Sequence, residues 1–457
     1  MQAKIQLRNI SSHELEQCMK CSICTVYCPV SAVEPQYPGP KHAGPDLMRY
    51  RMKDEHFFND NLKMCLNCKR CEVACPNGVK IGDIIQEARI KYSSHGPSLR
   101  DRMLANTDFV GTMATLAAPL VNFSLGLKPA KAVLHTVMGI DKHRTFPSYS
   151  SQKFETWFKK EAAEKQKNFS KFVSYFHGCY VNYNYPQLGK DLVKILNAVG
   201  YGVHLLEKEQ CCGVALIANG LSGQAKRQGE VNMKSMRQAI QNKDEAIVTT
   251  SSTCTFTMRD EYKHLLEIKN EDVRSSLMLA TRFLYNLIHE KKIRLVFRND
   301  FQRKVAYHTA CHMERMGWVV YSTELMRMIP GLDLIMLESQ CCGIAGTYGF
   351  KKENYERSQK IGESLFDHIN EINPDCVSTD CETCKWQIEM STRYKVINPI
   401  SLIDGGDIAL EEIDVTLNHV RSVYESENPR VILLETALHG ELLNLDFEDK
   451  KRGYASG

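Results

Sequence analysis

The amino-acid sequence predicts a multidomain protein: a small α-helical N-terminal domain, then an α/β domain present twice, each copy built on a small parallel sheet. Three observations predict it. Eight of the eighteen cysteines fall in two runs of identical spacing within the first hundred residues. The other ten lie in residues 169–404, where cysteine motifs recur at offsets of 132, 130, 130 and 130 residues. Each of these later groups follows a short apolar run of strand character, and helical patterns separate the runs.

Composition sets the frame. A chain of 457 residues is long enough for about three domains. With 43% hydrophobic and 25% charged residues it has the makings of ordinary packed cores. A net charge of +4, without a basic stripe interleaved with aromatics, argues against a nucleic-acid partner. The leading residues MQAKIQLRNISSHELEQ contain no apolar core and no cleavage site, so a reducing cytoplasm is expected. There, dense CxxC spacing points to metal or redox chemistry rather than to disulfides.

The first domain, residues 1–100, carries CMKCSICTVYCP (Cys18, Cys21, Cys24, Cys28) and CLNCKRCEVACP (Cys65, Cys68, Cys71, Cys75). Both read C-x2-C-x2-C-x3-C-P, the run that holds four-iron, four-sulfur clusters. Two-residue gaps let three thiolates of one tight turn reach three corners of a cubane. The fourth cysteine, displaced by the x3 step, ligates the other cluster in two-cluster proteins. One cluster is therefore assigned Cys18, Cys21, Cys24 and Cys75, and the other Cys65, Cys68, Cys71 and Cys28. Pro29 and Pro76 turn the chain after the last ligand of each run. Zinc, which prefers paired knuckles, is the competing reading; a c-type haem would need a His directly after a CxxC, and none occurs.

Residues 101–168 read as a helical connector without cysteines. The stretch Phe109–Leu127 is uncharged for nineteen residues but is interrupted by Pro119, Asn122 and Ser124, which makes it a poor membrane span. It is expected either to be buried or to lie in a membrane interface. From Lys128 to Lys171 ten Lys or Arg stand against four Asp or Glu, and this basic excess favours the interface.

The two later copies occupy residues 169–296 and 297–404. In the first, FVSYF, GVHLL and AIVTT are expected strands; in the second, KVAYH, LDLIML and CVST. Cysteines on loops after the strands would gather at the carboxyl end of an open sheet, where such folds place ligands. The second copy offers Cys311, Cys341, Cys342, Cys381 and Cys384 as possible metal ligands. The first offers Cys179, Cys211, Cys212 and Cys254, with Ser251 standing where the second has Cys381. Four thiolates there could hold iron or zinc. His177, His308 and His312 flank the first cysteine of each copy, and each could tune a centre or serve only structure. The extension 405–457, with eleven acidic and five basic residues, shows no chemistry.

Absences are informative too. No GxGxxG follows a strand, no GxxxxGK[ST] occurs, and no convincing Ser-His or HExxH arrangement is present. No flavin or nicotinamide is expected in this chain and no catalytic residue is assigned, so electrons would come from another polypeptide.

The thirty-six residues between the two runs have helical spacing, and the first domain resembles the α-helical ferredoxin module of respiratory iron–sulfur subunits. The later copies resemble the cysteine-rich CCG domain of heterodisulfide reductase subunits, in which adjacent cysteines bind a non-cubane cluster. Together with PGPKHAGPD, VKIGDIIQ, FHGCYVNYNYPQLGKDL, CCGVALIANG, TSSTCTF, CCGIAGTYGFKKENY and TDCETCKWQIEMS, they resemble the C subunits of bacterial anaerobic glycerol-3-phosphate dehydrogenase over roughly residues 15–403. That resemblance implies a flavin-containing catalytic subunit and a second subunit as partners, menaquinone as acceptor, and a peripheral place on the cytoplasmic side of the inner membrane. The same layout occurs in iron–sulfur subunits of lactate or glycolate oxidases, and direct chemistry at a CCG cluster is a further alternative. A zinc-stabilised scaffold is a third.

Overall fold

The computed structural model describes residues 15–405, apart from 55–56, 58, 93–95, 291–294, 296 and 298–301. The acidic extension read from the sequence therefore lies outside the described residues, save Gly405.

The N-terminal domain is made of short helices, Ile23–Val26, Pro29–Val33, Leu47–Arg51 and Arg70–Val73, with one longer helix, Ile81–Lys91. The cysteine runs cannot be regular helix, because each carries two residues in the left-handed region at matching places. Lys20 and Ser22 have φ of 61° and 67°; Asn67 and Lys69 have 57° and 62°. Left-handed non-glycine residues are costly, so their recurrence at the second and fourth positions after the first cysteine marks one backbone shape used twice. Helix Ile81–Lys91 closes the domain by burying Ile81, Ile84, Ile85 and Ala88.

Both later copies are four-stranded parallel sheets with helices between the strands. The first comprises β1 (Lys171–Tyr175), β2 (Tyr201–Leu205), β3 (Ile247–Thr249) and β4 (Leu277–Leu279), in the order β2-β1-β3-β4. The second comprises β5 (Arg303–Tyr307), β6 (Leu332–Met336), β7 (Cys376–Ser378) and β8 (Val396–Ile397), in the order β6-β5-β7-β8. The first three strands of each copy are the apolar runs expected from the sequence. The fourth, three residues in β4 and two in β8, was not expected; so short a strand has no periodicity to read.

This order fixes the sites. The chain reverses its direction of winding after the second strand, so the loops after β1 and β3 diverge around one crevice at the carboxyl edge, and the loop after β2 closes over it. Those three loops carry the cysteines of the first copy, and the loops after β5, β6 and β7 carry those of the second.

The two copies share a core. Val173, Leu192 and Val203 pack in the same apolar cluster as Val305, Leu325 and Ile397. The last described helix, Pro399–Asp404, crosses back onto Pro186–Ala198 of the first copy, and Ser401 Oγ donates to the buried Asp191. The helical domain leans mainly on the second copy: its apolar cluster includes Cys341, Tyr348 and Ile361, and Arg357 clasps Glu34 at 2.7 Å.

Candidate metal centres

The structure brings seven of the eight N-terminal cysteines into two groups, with Cys75 beside Cys18 and Cys24, and Cys28 beside Cys65, Cys68 and Cys71. The Cys24 thiol, raised by burial, lies within electrostatic reach of Cys18 and Cys75. Cys21 of the same run is exposed. Cys65, Cys68 and Cys71 are each raised by burial, and each feels Cys28. Backbone N–H groups point at the sulfurs: Asn67 N–H donates to Cys65 Sγ and Val79 N–H to Cys75 Sγ, both at 3.4 Å. The left-handed residues make this possible by turning peptide N–H groups inward. Thiols grouped in this way and lined by N–H donors fit iron–sulfur cubanes in donor chemistry, with Cys21 of the first run as the remaining ligand its spacing would supply. Tyr37 packs beside the second set, its phenol pushed up by burial and then by Cys65 and Cys28.

In the first copy Cys211 Sγ stands 3.7 Å from Cys179 Sγ, and Cys212 lies between Cys211 and Cys254. Ser251 does not face this group as a ligand. It caps helix Ser252–Phe256, accepting from Cys254 N–H at 3.2 Å, and donates to Glu382 of the second copy at 2.9 Å. Burial, and next Cys381, push the Glu382 carboxyl, which lies between the copies, up to about 8. Two further carboxylates reach this site that no motif announced. Asp108 accepts from Cys211 N–H at 2.7 Å and is raised to about 7 by burial and then Cys211. Glu209 accepts from Gly178 N–H at 2.7 Å and His177 N–H at 3.2 Å, and burial raises it well above the usual carboxylate range. Asp108 is 103 residues from its partner, so only the fold brings it there.

The second copy assembles its whole set. Cys342 Sγ and Cys384 Sγ are 3.2 Å apart, Gly343 N–H donates to Cys341 Sγ at 3.4 Å, and Cys311 lies within reach of Cys341, Cys381 and Cys342. Cys381 is lowered to about 6, first by a hydrogen bond from Cys384, and Cys342 is lowered by the same neighbour. Burial raises Cys311 and Cys341, and Cys384 is raised first by its hydrogen bond with Cys342, so the set as a whole is one that a soft metal would bind by displacing protons. The eighteenth cysteine, Cys376, lies in β7 inside the shared core. The glycine of CCG has a steric role here: Gly343 has φ of +83°, and a Cβ on it would lie 2.0 Å from the Ser358 carbonyl oxygen.

The three histidines part company. His177 Nδ1 bonds Gly178 O at 3.0 Å and Glu209 at 3.1 Å, and burial lowers it to about 4; it serves the loop. His312 stacks on Phe256 with centroids 4.6 Å apart and contacts Thr253 at 3.3 Å. His308 lies beside Cys342 and Cys384, its imidazole nitrogen and the two sulfurs all within 4.8 Å of one another.

The second N-terminal set and the second copy adjoin. Among the charged or ionisable neighbours of Cys68 the strongest is Cys341, and that of Cys311 is Cys68. Arg70, between Cys68 and Cys71, is held by Glu314 of the second copy at 3.0 Å.

A two-run cysteine domain set against a doubled cysteine-bearing sheet defines an iron–sulfur electron-transfer protein. Residues 14–79 match the model of the 4Fe-4S dicluster domain, and residues 173–259 and 305–389 each match that of the cysteine-rich domain called CCG. Over 388 residues the chain is 54% identical to the C subunit of anaerobic glycerol-3-phosphate dehydrogenase from Escherichia coli (strain K12), covering 85% of this chain and 97% of that one. It belongs to the family of anaerobic glycerol-3-phosphate dehydrogenase C subunits. More distant relatives share parts of it. The B subunit of the fumarate reductase (CoM/CoB) of Methanothermobacter marburgensis is 28% identical over 51% of this chain and 46% of its own. Lactate utilization protein A of Geobacillus sp. (strain WCH70) is 29% identical over 46% and 87%.

Proposed function

We propose that this chain carries electrons from a flavin-containing partner subunit, which oxidises glycerol 3-phosphate, toward menaquinone at the cytoplasmic face of the inner membrane. The observation that carries the reading is that sulfurs adjoin across the domain boundary, with Cys28 and Cys65 on one side of Cys68 and Cys341 and Cys311 of the second copy on the other. A four-iron cluster bound by each N-terminal set would supply one-electron transfer without making or breaking a substrate bond. The protein's own residues do the rest. Burial of Cys28, Cys71 and Tyr37 excludes water from the second set, and the N–H groups of Asn67 and Val79 stabilise negative charge on the sulfurs.

Direction follows from exposure. Cys21 reaches the surface among Met19, Val26 and Tyr27, which are 62%, 82% and 60% exposed, whereas Cys68 is enclosed by the second copy. The partner's donor approaches the first set, and electrons leave through the second. Membrane attachment belongs to the helices Thr107–Leu116 and Ala118–Gly126, which meet at 104°. No single helix among the described residues is long and apolar enough to cross a membrane. The bent pair instead bares Phe109, Leu116, Leu120 and Phe123, each between 67% and 76% exposed, ahead of Lys128 and Lys131. Such a wedge with flanking cations suits an anionic lipid interface.

The test is spectroscopic. The full chain, purified without oxygen, should contain at least eight irons with matching sulfide. Its two interacting cubane signals should appear on addition of the flavoprotein partner and glycerol 3-phosphate, and not with lactate. Zinc without labile sulfide, or clusters that the partner cannot reduce, would overturn the reading.

A further inference from the structure

The two copies differ by more than Ser251. The residue that leaves the first strand of each sheet occupies the same backbone position in both. In the first copy it is Phe176, whose N–H donates to Val248 O at 2.9 Å; in the second it is His308, whose N–H donates to Ser378 O at 2.8 Å. Both are buried to 1% exposure or less, yet one side chain is a hydrocarbon ring and the other carries two nitrogens. Nδ1 of His308 has no hydrogen-bond partner. Burying a polar nitrogen without a partner is unfavourable unless a ligand supplies one. His177 is held by Gly178 and Glu209; His312, stacked on Phe256 and bonded through Nδ1 to Thr253, also leaves its Nε2 without a partner, but of the three only His308 shares a 4.8 Å group with thiols.

The groups around His308 are ones that could share a metal with it. The sulfurs of Cys342 and Cys384 lie with an imidazole nitrogen inside one 4.8 Å triangle, and Cys381 joins through Cys384. Thiolates with one neutral imidazole suit iron or zinc and exclude hard cations.

We propose that His308 is a nitrogen ligand of an iron centre in the second copy, which is thereby a mixed cysteine–histidine site while the first copy, with Phe176, offers sulfur alone. The inference rests on the reading of this chain as an iron–sulfur carrier and extends it to a specific ligand. An imidazole in place of a thiolate leaves the centre with one negative charge fewer, so the second copy holds an electron more readily than an all-cysteine site of the same iron content; His-for-Cys replacement raises the potential in the same way in other iron–sulfur centres.

The test uses the full chain grown with 15N-histidine and purified without oxygen. Pulsed EPR should find a 15N coupling on a signal separate from the two N-terminal cubanes. His308→Phe should abolish that coupling, and His308→Cys should keep the iron but lose the coupling and lower the potential of that signal. Unchanged N-terminal signals show that either variant is folded. Iron limited to eight atoms, zinc in place of the extra iron, no nitrogen coupling, or a coupling that survives in His308→Phe overturns the assignment. None of these outcomes touches reduction of the N-terminal clusters by the flavoprotein, so the broader reading stands or falls separately.

Discussion

Gly343 and Gly213 hold the same letter in the two CCG motifs but not the same burden. Both have positive φ, +83° and +87°, which costs any other L-residue about 1–2 kcal/mol. At Gly213 a Cβ would meet the Ala225 Cβ at an ordinary 3.4 Å; at Gly343 it would drive into the Ser358 carbonyl at 2.0 Å. Gly213→Ala should therefore lose about 1–2 kcal/mol in anaerobic denaturant titrations. Gly343→Ala should lose more than about 4 kcal/mol, or fail to fold its copy, since backbone oxygen cannot step aside. At this scale the sequence was legible wherever cysteines repeat: counting alone located Ser251. It could not show that Ser251 serves as a helix cap, nor separate His308 from His177 and His312, because all three flank a cysteine and only three-dimensional packing distinguishes them. Asp108 was illegible for a plainer reason, having no neighbour in sequence with which to form a motif.

Among the elements, the bent helix pair has a cause that can be read in the chain. Pro119 sits in the first turn of the second helix, where it lacks the N–H that would bond back into the first and its ring would crowd that turn, so the apolar stretch breaks at Ala117 and continues at an angle. The break converts nineteen uncharged residues from a failed span into a wedge. Removing two of its exposed apolar side chains, with Leu120→Glu and Phe123→Glu together, should lower binding to anionic liposomes by about two orders of magnitude, since each buried side chain of this size is worth about 1.5–3 kcal/mol. Flotation of the wild type should also weaken as salt rises, through the lysines that follow. Equal flotation of the variant would place attachment elsewhere. The strands were legible as short apolar runs, the central β1, β3, β5 and β7 and also the edge strands β2 and β6, whereas β4 and β8 are too short to leave any pattern.

For the whole molecule, the residues between the cysteines of the second run tie the parts together. Lys69, 1% exposed, bonds Asp83 and lies 3.7 Å from Glu72 and 3.9 Å from Glu261 of the first copy. Asn67 reaches the same Glu261 at 2.7 Å, and Arg70 reaches Glu314 of the second copy. Two buried carboxylates and the half-buried Asp83 share this ammonium, Glu72 also meeting Arg315 at 3.2 Å. Lys69→Met should cost about 3–5 kcal/mol, the loss expected when one partner of a buried ion group is removed. The measurement is the denaturation midpoint, read together with loss of the second cubane signal. None of these long-range pairs was visible in the sequence, where Lys69 and Arg70 read as two charges in a metal-binding loop.

The returning helix Pro399–Asp404 gives the duplication a meaning that counting repeats does not. Because the end of the second copy is seated on a helix of the first, and both sheets draw on one core, neither half can be excised, exchanged or inherited as a spare module. A change in one copy is felt in the other, as when Ser251 takes over a helix cap and binds Glu382 across the boundary. The unequal halves are thus bound to evolve as a single object, in which divergence of the cysteine sets is a division of tasks between permanently joined siblings.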